Sequence, residues 1–265
     1  MDNITLLVLS CDNFSDLWEG HLKMYNTNWP ERNFETYLVT DKQTDKRFPE
    51  IGIIAIDDKP EWTDRLKAAL AFVKTDYVFI TLDDYFLIEK INKERVSQVI
   101  NYAVQNQYDY IRFFKRPVPA TSNPIGDLTG LFNIDKSIEY SVNLYPGLWK
   151  KEFLNYTLES SSNAWKYEIS LTDYAINYNA RCLVNTEDDF VILDVVRKGK
   201  LLRSANRYFQ KHPHIYSGSR PLQSFSDATK LWVKTMGIRY MPRCFVKHAR
   251  KLYVRLGGTS FKTII

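Results

Sequence analysis

The order in which strand-length apolar runs and helical segments follow one another limits the possible folds of this chain more than any other feature. Four apolar runs have the length of β-strands; they begin at positions 4, 35, 52 and 76 and read ITLLVLS, ETYLVTD, GIIAIDD and DYVFITLDD. Residues 14–25 and 61–75 place apolar side chains at three- and four-residue spacing, which predicts a helix after the first run and another before the fourth. Strands joined in this way are typical of a mostly parallel sheet with helices on both faces.

The second half of the chain continues this α/β pattern around a less regular middle. Residues 92–107 and 171–180 are expected to be helices, and residues 108–114 and 189–196 strands. Residues 115–145 contain three prolines and Gly126, which favours irregular loops with short strands. A chain of 265 residues suits one large domain with an appendage. We expect a domain over residues 1–225 and a tail over residues 226–265.

The cysteines and the N-terminal segment indicate the cellular compartment of the protein. The three cysteines, Cys11, Cys182 and Cys244, are far apart and lack the paired spacing of a zinc site or a disulfide framework. The segment MDNITLLVLSCDN has an acid at position 2 and only a short apolar run, unlike a secretory signal or a membrane span. We therefore expect a protein of the reducing cytoplasm.

Polar and acidic residues collect where the predicted strands end. Ser10 and Asp12, then Asp41, then Asp57 and Asp58, and finally Asp83 and Asp84 follow the four runs, listed here in chain order. Ligands of open parallel sheets bind outside the carboxyl ends of the strands. Two adjacent carboxylates can bind Mg²⁺ or Mn²⁺, which prefer oxygen ligands. The alternative, a carboxylate that caps the following turn, is about equally supported by the dipeptide alone.

Three segments resemble a known family. ITLDDYFLI, preceded by WTDRLKAAL, resembles the aspartate motif of nucleotide-sugar-dependent glycosyltransferases of the GT-A fold, and more closely that of bacterial enzymes that build capsule and lipopolysaccharide. YPGLWKKEFL and NAWKYE resemble acceptor-side segments of the same group, and the likeness spans roughly residues 4–210. It implies an α/β, Rossmann-like GT-A fold. It also implies transfer of a sugar from a nucleoside-diphosphate sugar, a UDP-sugar by preference, to a hydroxyl of a surface-polysaccharide or lipid-linked acceptor.

The resemblance assigns donor-side roles. Asp84 takes the position that faces a divalent cation, Mn²⁺ or Mg²⁺, and Asp83 the position that faces the ribose. The family motif usually begins with a further acid, but Leu82 stands here, so metal-independent transfer remains open. Ser10 and Asp41 resemble groups that hold the base, and Arg65 lies where a cation could reach the diphosphate. The alternatives are a turn residue for Asp41 and a solvated helix charge for Arg65.

The same resemblance assigns acceptor-side roles. Inverting transfer needs a carboxylate near the acceptor hydroxyl, and Glu168 is the candidate, with Asp173 second. Glu168 is expected near a helix N-terminus, where the helix dipole favours the ionised carboxylate; an ordinary first-turn acid is the alternative. Trp149, Trp165 and Tyr167 are the candidate acceptor-binding residues, because aromatic rings stack on sugars.

Two basic regions complete the sequence. Residues 197–207 carry five Lys or Arg, among them Arg203, and are expected to form a mobile loop that closes over the diphosphate; ordinary surface charge is the alternative. His212 or His214 could complete a metal site. Residues 226–265 carry nine Lys or Arg against one Asp, a charge of +8, so the rest carries −3 of the total of +5.

The basic tail mixes its cations with apolar residues on both sides of Pro242, which predicts two amphipathic helices on an anionic membrane surface. Packing on the body or dimerisation is the alternative. The acidic body and the lack of a recognisable motif argue against nucleic acid.

Two other functions stay open, a nucleotidyltransferase acting on sugar phosphates and a non-catalytic glycan-binding or scaffold protein. The nucleotidyltransferase is disfavoured because residues 9–16, LSCDNFSD, lack the glycines of a phosphate-binding loop.

Overall fold

The computed structural model describes residues 4–30, 32–59, 61–115, 124–126, 128–230 and 232. Twelve strands lie within these residues: β1 (Ile4–Leu9), β2 (Glu35–Thr40), β3 (Ile51–Ala55), β4 (Tyr77–Leu82), β5 (Tyr85–Leu87), β6 (Tyr110–Arg112), β7 (Leu131–Asn133), β8 (Gly147–Lys150), β9 (Cys182–Asn185), β10 (Ile192–Asp194), β11 (Val196–Arg197) and β12 (Lys200–Leu201). The helices are α1 (Trp18–Asn28), α2 (Trp62–Leu70), α3 (Lys93–Gln105), α4 (Lys151–Thr157), α5 (Ala164–Asn177) and α6 (Arg203–Lys211), with a 3-10 turn at Asp12–Phe14.

The central sheet has eight strands in the order β3-β2-β1-β4-β8-β6-β9-β7. The first four are parallel to one another, as the four apolar runs predict, and β6 is parallel to β9. Only β8 and β7 run against their neighbours. In the β1–β4 register Leu9 lies opposite Leu82, so that the chain leaves both strands at the same edge. This register brings the residues after β1 and β4 together.

Alternate side chains of the sheet enter two cores. Leu7, Val78 and Ile80 face one core, to which α2, α4 and α5 contribute. Leu6 and Phe79 face the opposite core, with α1 and α3. The central strands β1 and β4 are almost wholly apolar because both of their faces are covered, which is the pattern of a buried parallel sheet. The prediction of an α/β sheet with helices on both faces is confirmed.

The basic region after residue 196 differs from its prediction. Instead of a loop, it forms the antiparallel pair β11–β12 followed by α6. Lys198 and Gly199 make the turn with φ of 50° and 74°, the left-handed pair of a two-residue hairpin. Leu201, Leu202 and other apolar residues of this region are buried in a third core against Leu17 and Phe86. These apolar residues, spaced between the cations, are what order the segment.

Helix α5 also starts earlier than expected. Asn163 caps it by accepting a hydrogen bond from the backbone N–H of Lys166 (3.1 Å), so Ala164 is its first residue. Glu168 therefore lies in the second turn rather than at the N-terminus, and the expected benefit from the helix dipole does not apply. Within the described residues, no helix is both long and apolar enough to cross a membrane. The predicted tail helices lie almost wholly outside the described residues.

Candidate functional site

The first part of the site is the junction between the ends of β1 and β4. The Ser10 hydroxyl donates a hydrogen bond to Asp83 Oδ2 and accepts one from Trp18 Nε1 (2.6 Å). The backbone N–H of Asp83 donates to the Leu9 carbonyl (3.3 Å), which extends the β1–β4 ladder by one residue. Asp83 is buried, with 5% of its surface exposed. The predicted donor residues Ser10 and Asp83 are thus hydrogen-bonded to each other where β1 and β4 end.

Asp84 lies in a different environment from its neighbour. Its carboxylate oxygen Oδ1 is buried and has no hydrogen-bond partner among the described residues. Burial, followed by the charges of Asp83 and Asp194, raises the pKa of Asp84 well above its ordinary value. Burial likewise raises the pKa of Asp83 and of Asp194. Three carboxyl groups held this close repel one another when ionised, and a bound cation would relieve that repulsion.

Asp194 is a site residue that the sequence analysis missed. Strand β10 pairs with β5 in antiparallel register, which places Asp194 opposite Tyr85, the residue after Asp84. The backbone N–H of Val195 donates to the Asp84 carbonyl (2.9 Å), so the two segments are also fixed at this end. Asp194 accepts a hydrogen bond from Arg197 (3.1 Å). The only sequence signal for Asp194 was an acid inside the predicted strand DFVILDVV. The pairing of β10 with β5 joins segments more than a hundred residues apart, so local sequence does not reveal that Asp194 lies near Asp84.

The carboxylate cluster could supply only a small set of ligands to a divalent cation. Among the residues that the structure describes, no group of three or more His, Cys, Asp or Glu side chains could hold a metal ion by itself. Magnesium and manganese, however, commonly take one or two carboxylates from protein and the rest from substrate phosphates and water. The unpartnered Oδ1 of Asp84, with Asp194 beside it, offers that smaller ligand set.

The loop after β1 is held to the end of β2. Asp41 Oδ1 accepts a hydrogen bond from the backbone N–H of Asp12 (2.6 Å), and Lys42 pairs with the Asp12 carboxylate (3.2 Å). Cys11 is close to both Asp41 and Asp83. The pKa of its thiol is raised to about 11, mainly by burial and then by the charges of Asp83 and Asp41. The Arg65 charge opposes that shift, so Arg65 is within electrostatic reach of the same loop. The structure therefore brings together Ser10, Asp41, Arg65 and the acidic pair.

A clamp from the far end of the domain also holds this loop. The Arg220 guanidinium donates to both carboxylate oxygens of Asp16 (2.8 and 2.6 Å) and lies over the Phe14 ring, 4.4 Å from its centroid. Tyr216 donates a further hydrogen bond to Asp16 (2.9 Å). The Arg220 charge also favours the ionised form of Asp83, lowering its pKa against the larger effect of burial. Nothing in the sequence pairs position 16 with position 220.

Glu168, on α5, lies within electrostatic reach of the carboxylate cluster. Its Oε1 accepts a hydrogen bond from the backbone N–H of Leu144 (3.2 Å). Burial raises the pKa of Glu168, and the bond from Leu144 only partly opposes this. Glu168 also raises the pKa of Tyr85, as Asp84 and Asp194 do, so it belongs to the same electrostatic cluster. Asp173, the second candidate for the base, is exposed to solvent.

Two of the three predicted acceptor-binding residues belong to the core. Trp149 in β8 is 0% exposed and packs against Tyr110, with ring centroids 4.3 Å apart. Tyr167 is 1% exposed, and its hydroxyl is hydrogen-bonded to Thr157 (2.6 Å). Buried side chains do not contact an acceptor, which corrects the assignment of both. Trp165 is 53% exposed at the start of α5 and stays available for that role.

Arg203 and His212 contact aromatic rings. Arg203 opens α6, and its guanidinium stacks on the Phe225 ring at 3.3 Å from the centroid. Its Nε is buried without a hydrogen-bond partner among the described residues. His212 packs on Tyr208 (4.5 Å) and lies 6.3 Å from His214, centroid to centroid. Neither histidine joins a cluster of three potential ligands within the described part of the chain.

Comparison with known proteins reveals similarity in fold. No protein-family model matches the chain, and no curated protein matches its sequence. S. aureus TarS 1-349 in complex with UDP-GlcNAc is 15% identical with a TM-score of 0.50; the match covers 75% of this chain and 60% of that chain.

Two further solved structures match with lower scores. The mannosyltransferase PcManGT from Pyrobaculum calidifontis, in complex with GDP-Man and Mn²⁺, is 16% identical with a TM-score of 0.49; the match covers 83% of this chain and 66% of that chain. A cytidylyltransferase from Leptospira borgpetersenii is 9% identical with a TM-score of 0.44; the match covers 83% of this chain and 98% of that chain. Both TM-scores are below 0.5, so neither match supports a functional inference. The chain spans three fifths of the TarS structure that it matches, and the likeness shows the fold alone: an α/β fold of the GT-A type.

Proposed function

We propose that the protein is a glycosyltransferase that binds a nucleoside-diphosphate sugar, a UDP-sugar by preference, where β1, β2 and β4 end. The observation that supports this most is the buried carboxylate cluster of Asp83, Asp84 and Asp194, in which Asp84 Oδ1 has no partner among the described residues. Such a cluster is unfavourable without a ligand that supplies positive charge or hydrogen bonds. A sugar donor carrying its diphosphate and cation supplies both.

The loop after β1 and the end of β2 would hold the nucleoside. Asp41 uses one oxygen to fix the Asp12 N–H, but a carboxylate accepts more than one hydrogen bond. It can therefore also accept the imide N–H of uracil. Ser10 acts indirectly, because its hydroxyl orients Asp83 toward the ribose. Arg65, whose charge reaches the loop after β1, would attract the diphosphate, and Arg203 would reach it only by leaving Phe225.

The cation, Mn²⁺ or Mg²⁺, would be held by Asp84 and Asp194. When bound, it would neutralise the negative charge that grows on the departing diphosphate. Arg197, which already pairs with Asp194 at 3.1 Å, provides positive charge from the protein at the same place. Its hydrogen bond holds the Asp194 carboxylate in place.

Glu168 would act as the general base for inverting transfer. The acceptor oxygen attacks the anomeric carbon on the face opposite the diphosphate, the bond from that carbon to the diphosphate oxygen breaks, and the acceptor proton passes to the Glu168 carboxylate. A base works best when its pKa is close to the operating pH, so the upward shift caused by burial suits this role. The Leu144 N–H holds one carboxylate oxygen and leaves the other for the proton.

The acceptor would be a growing surface polysaccharide or lipid-linked glycan of the capsule or lipopolysaccharide type, met at the inner face of the cell membrane. The tail over residues 226–265 supports this because its +8 charge and interspersed apolar residues suit an anionic lipid surface. Phe225, which immediately precedes the tail, and Trp232 within it are 74% and 60% exposed.

Removal of residues 226–265 is expected to release the protein from anionic vesicles, because each basic residue near such a surface contributes about 1 kcal/mol. Co-sedimentation with phosphatidylglycerol vesicles, compared with neutral phosphatidylcholine vesicles, measures this. Equal binding of the full and shortened chains would show that the tail does not carry the attachment.

The structure adds an argument against a nucleotidyltransferase. Enzymes of that class bind a triphosphate with free backbone N–H groups of the loop after the first strand. Here the Asp12 N–H is already taken by Asp41, and the Phe14, Ser15 and Leu17 N–H groups bond to carbonyls of the same loop. The loop is therefore suited to holding a base rather than to surrounding three phosphates.

A donor screen tests the proposed function and separates it from a scaffold role. Melting curves of the full chain are recorded with UDP-, GDP- or dTDP-sugars, with and without Mn²⁺. In separate samples of folded protein, nucleotide release from each sugar donor is measured. A ligand at a hundred times its Kd stabilises by about 2.7 kcal/mol, which raises the melting temperature by roughly 5–10 °C. We expect this rise and slow release of UDP with at least one UDP-sugar. A scaffold protein would show neither.

A further inference from the structure

Three aromatic rings form a continuous stack beside the carboxylate cluster. Phe114 and Tyr145 lie with centroids 4.0 Å apart and planes at 15°, and Tyr145 and Tyr85 lie 5.2 Å apart at 14°. We call Phe114, Tyr145 and Tyr85 the aromatic wall. All three residues are partly exposed, unlike Trp149 and Tyr167. The wall is therefore an aromatic surface that a ligand can reach.

The aromatic wall lies between the proposed donor carboxylates and the proposed base. Tyr85 follows Asp84 directly and pairs in register with Asp194. Tyr145 follows Leu144, whose N–H is bonded to Glu168. After burial, Asp194 and Glu168 are the groups that raise the pKa of Tyr145, so its hydroxyl lies near both. An acceptor whose hydroxyl is placed between the donor and Glu168 would lie along this wall.

The backbone beneath the aromatic wall is held by a buried cation. Arg112, 1% exposed, donates to the Phe114 carbonyl (2.7 Å) and to the Ser141 carbonyl (2.6 Å). The Tyr145 N–H donates to the Asn143 side chain (3.2 Å). These bonds fix the two segments that carry Phe114 and Tyr145. A preorganised aromatic surface favours binding of a weakly polar ligand, because less conformational entropy is lost when the ligand binds.

We propose that the aromatic wall is the acceptor subsite and that it binds the apolar face of a neutral pyranose ring, with the exposed side of Phe114 as the contact surface. The C–H face of a sugar packs on an aromatic ring. We specify a neutral sugar because the two cations near Tyr145 are already engaged, Arg197 with Asp194 (3.1 Å) and Arg112 with two backbone carbonyls, so neither is placed to pair with a uronic acid or a phosphorylated sugar. This subsite rests on the proposed function, which supplies the donor and the base.

Saturation-transfer NMR on the full chain with UDP bound tests the subsite without requiring turnover. The probes are the methyl glycosides of glucose, galactose, N-acetylglucosamine and glucuronic acid. We expect saturation of one face of at least one neutral glycoside and none of the glucuronide. Phe114→Leu keeps an apolar side chain but removes the ring, and it should weaken that binding about tenfold. Phe114→Trp, which keeps an aromatic face, should preserve it.

The controls separate this proposal from the donor site. Phe72→Ala removes an aromatic ring that is 56% exposed just beyond α2, and it should leave glycoside binding unchanged. UDP-sugar hydrolysis by the wild-type chain reports the donor site, so its absence would overturn the proposed function. If hydrolysis occurs, three results would overturn the subsite: no saturation of any neutral glycoside, equal saturation of the glucuronide, or equal binding by the Leu and Trp variants. Melting curves verify that the variants are folded.

Discussion

Replacing Asp84 by Asn is expected to lower UDP release from the donor at least about 100-fold, because the variant loses the negative charge that would hold a cation against the departing diphosphate. Oδ1 of Asp84 is the buried carboxylate oxygen of the cluster that lacks a hydrogen-bond partner among the described residues, so it is the oxygen that a ligand would satisfy. The rate of nucleotide release at saturating donor, with and without Mn²⁺, measures the effect.

Asp76→Asn is the matched control for Asp84→Asn. Asp76 immediately precedes β4, at the opposite end of the same strand, and is exposed. The same chemical change there should leave nucleotide release at the wild-type rate. Release by Asp84→Asn within about threefold of wild type, with a normal melting curve, would show that Asp84 does not serve the diphosphate.

Replacing Glu168 by Gln is expected to lower sugar transfer by about 10²–10⁴-fold while making the folded protein more stable at neutral pH. The amide cannot take the acceptor proton, but its oxygen can still accept the Leu144 N–H. The pKa of Glu168 is raised in the folded state, so the folded protein holds this proton at a higher pH than the unfolded chain does. The wild type therefore loses stability as pH rises through the folded-state pKa, whereas the Gln variant does not.

Product formation and calorimetric melting between pH 4 and 8 test both effects of Glu168→Gln. The stability difference should be largest at neutral pH and should vanish below the ordinary pKa of glutamate, about 4.3, where both forms are uncharged. Asp173→Asn, on the exposed side of the same helix, is the matched control. Loss of transfer in Asp173→Asn and not in Glu168→Gln would reassign the base.

The part of the fold that follows from local pattern was predictable from sequence. The four apolar runs form β1 to β4 because each is long enough for a strand, and β1 and β4 are apolar on both faces. Because parallel strands β1 and β4 end at the same edge of the sheet, their order alone predicts that Ser10 lies beside Asp83. Trp149 and Tyr167 show the limit of motif reasoning, since a short motif fixes position along the chain and not whether a ring faces the core or the site.

The rest of the site depends on contacts between distant segments. Asp194 reaches Asp84 through the β5–β10 pairing, and Arg220 reaches Asp16 because the chain after α6 returns over α1. Gly20 permits that return: a Cβ at this position would lie 2.3 Å from the Ile215 carbonyl oxygen. A glycine inside a predicted helix signals a close approach, but it does not identify the segment that approaches.

The most direct test of the central claim is a calorimetric titration of UDP into the wild-type chain and into Asp84→Asn, each with and without Mn²⁺. We expect one UDP to bind per wild-type chain, more tightly with Mn²⁺, and this gain to disappear in the Asn variant. Absence of binding by UDP and by the other nucleoside diphosphates, or identical binding by both proteins under both conditions, would contradict the assignment of the carboxylate cluster to a nucleotide-sugar donor.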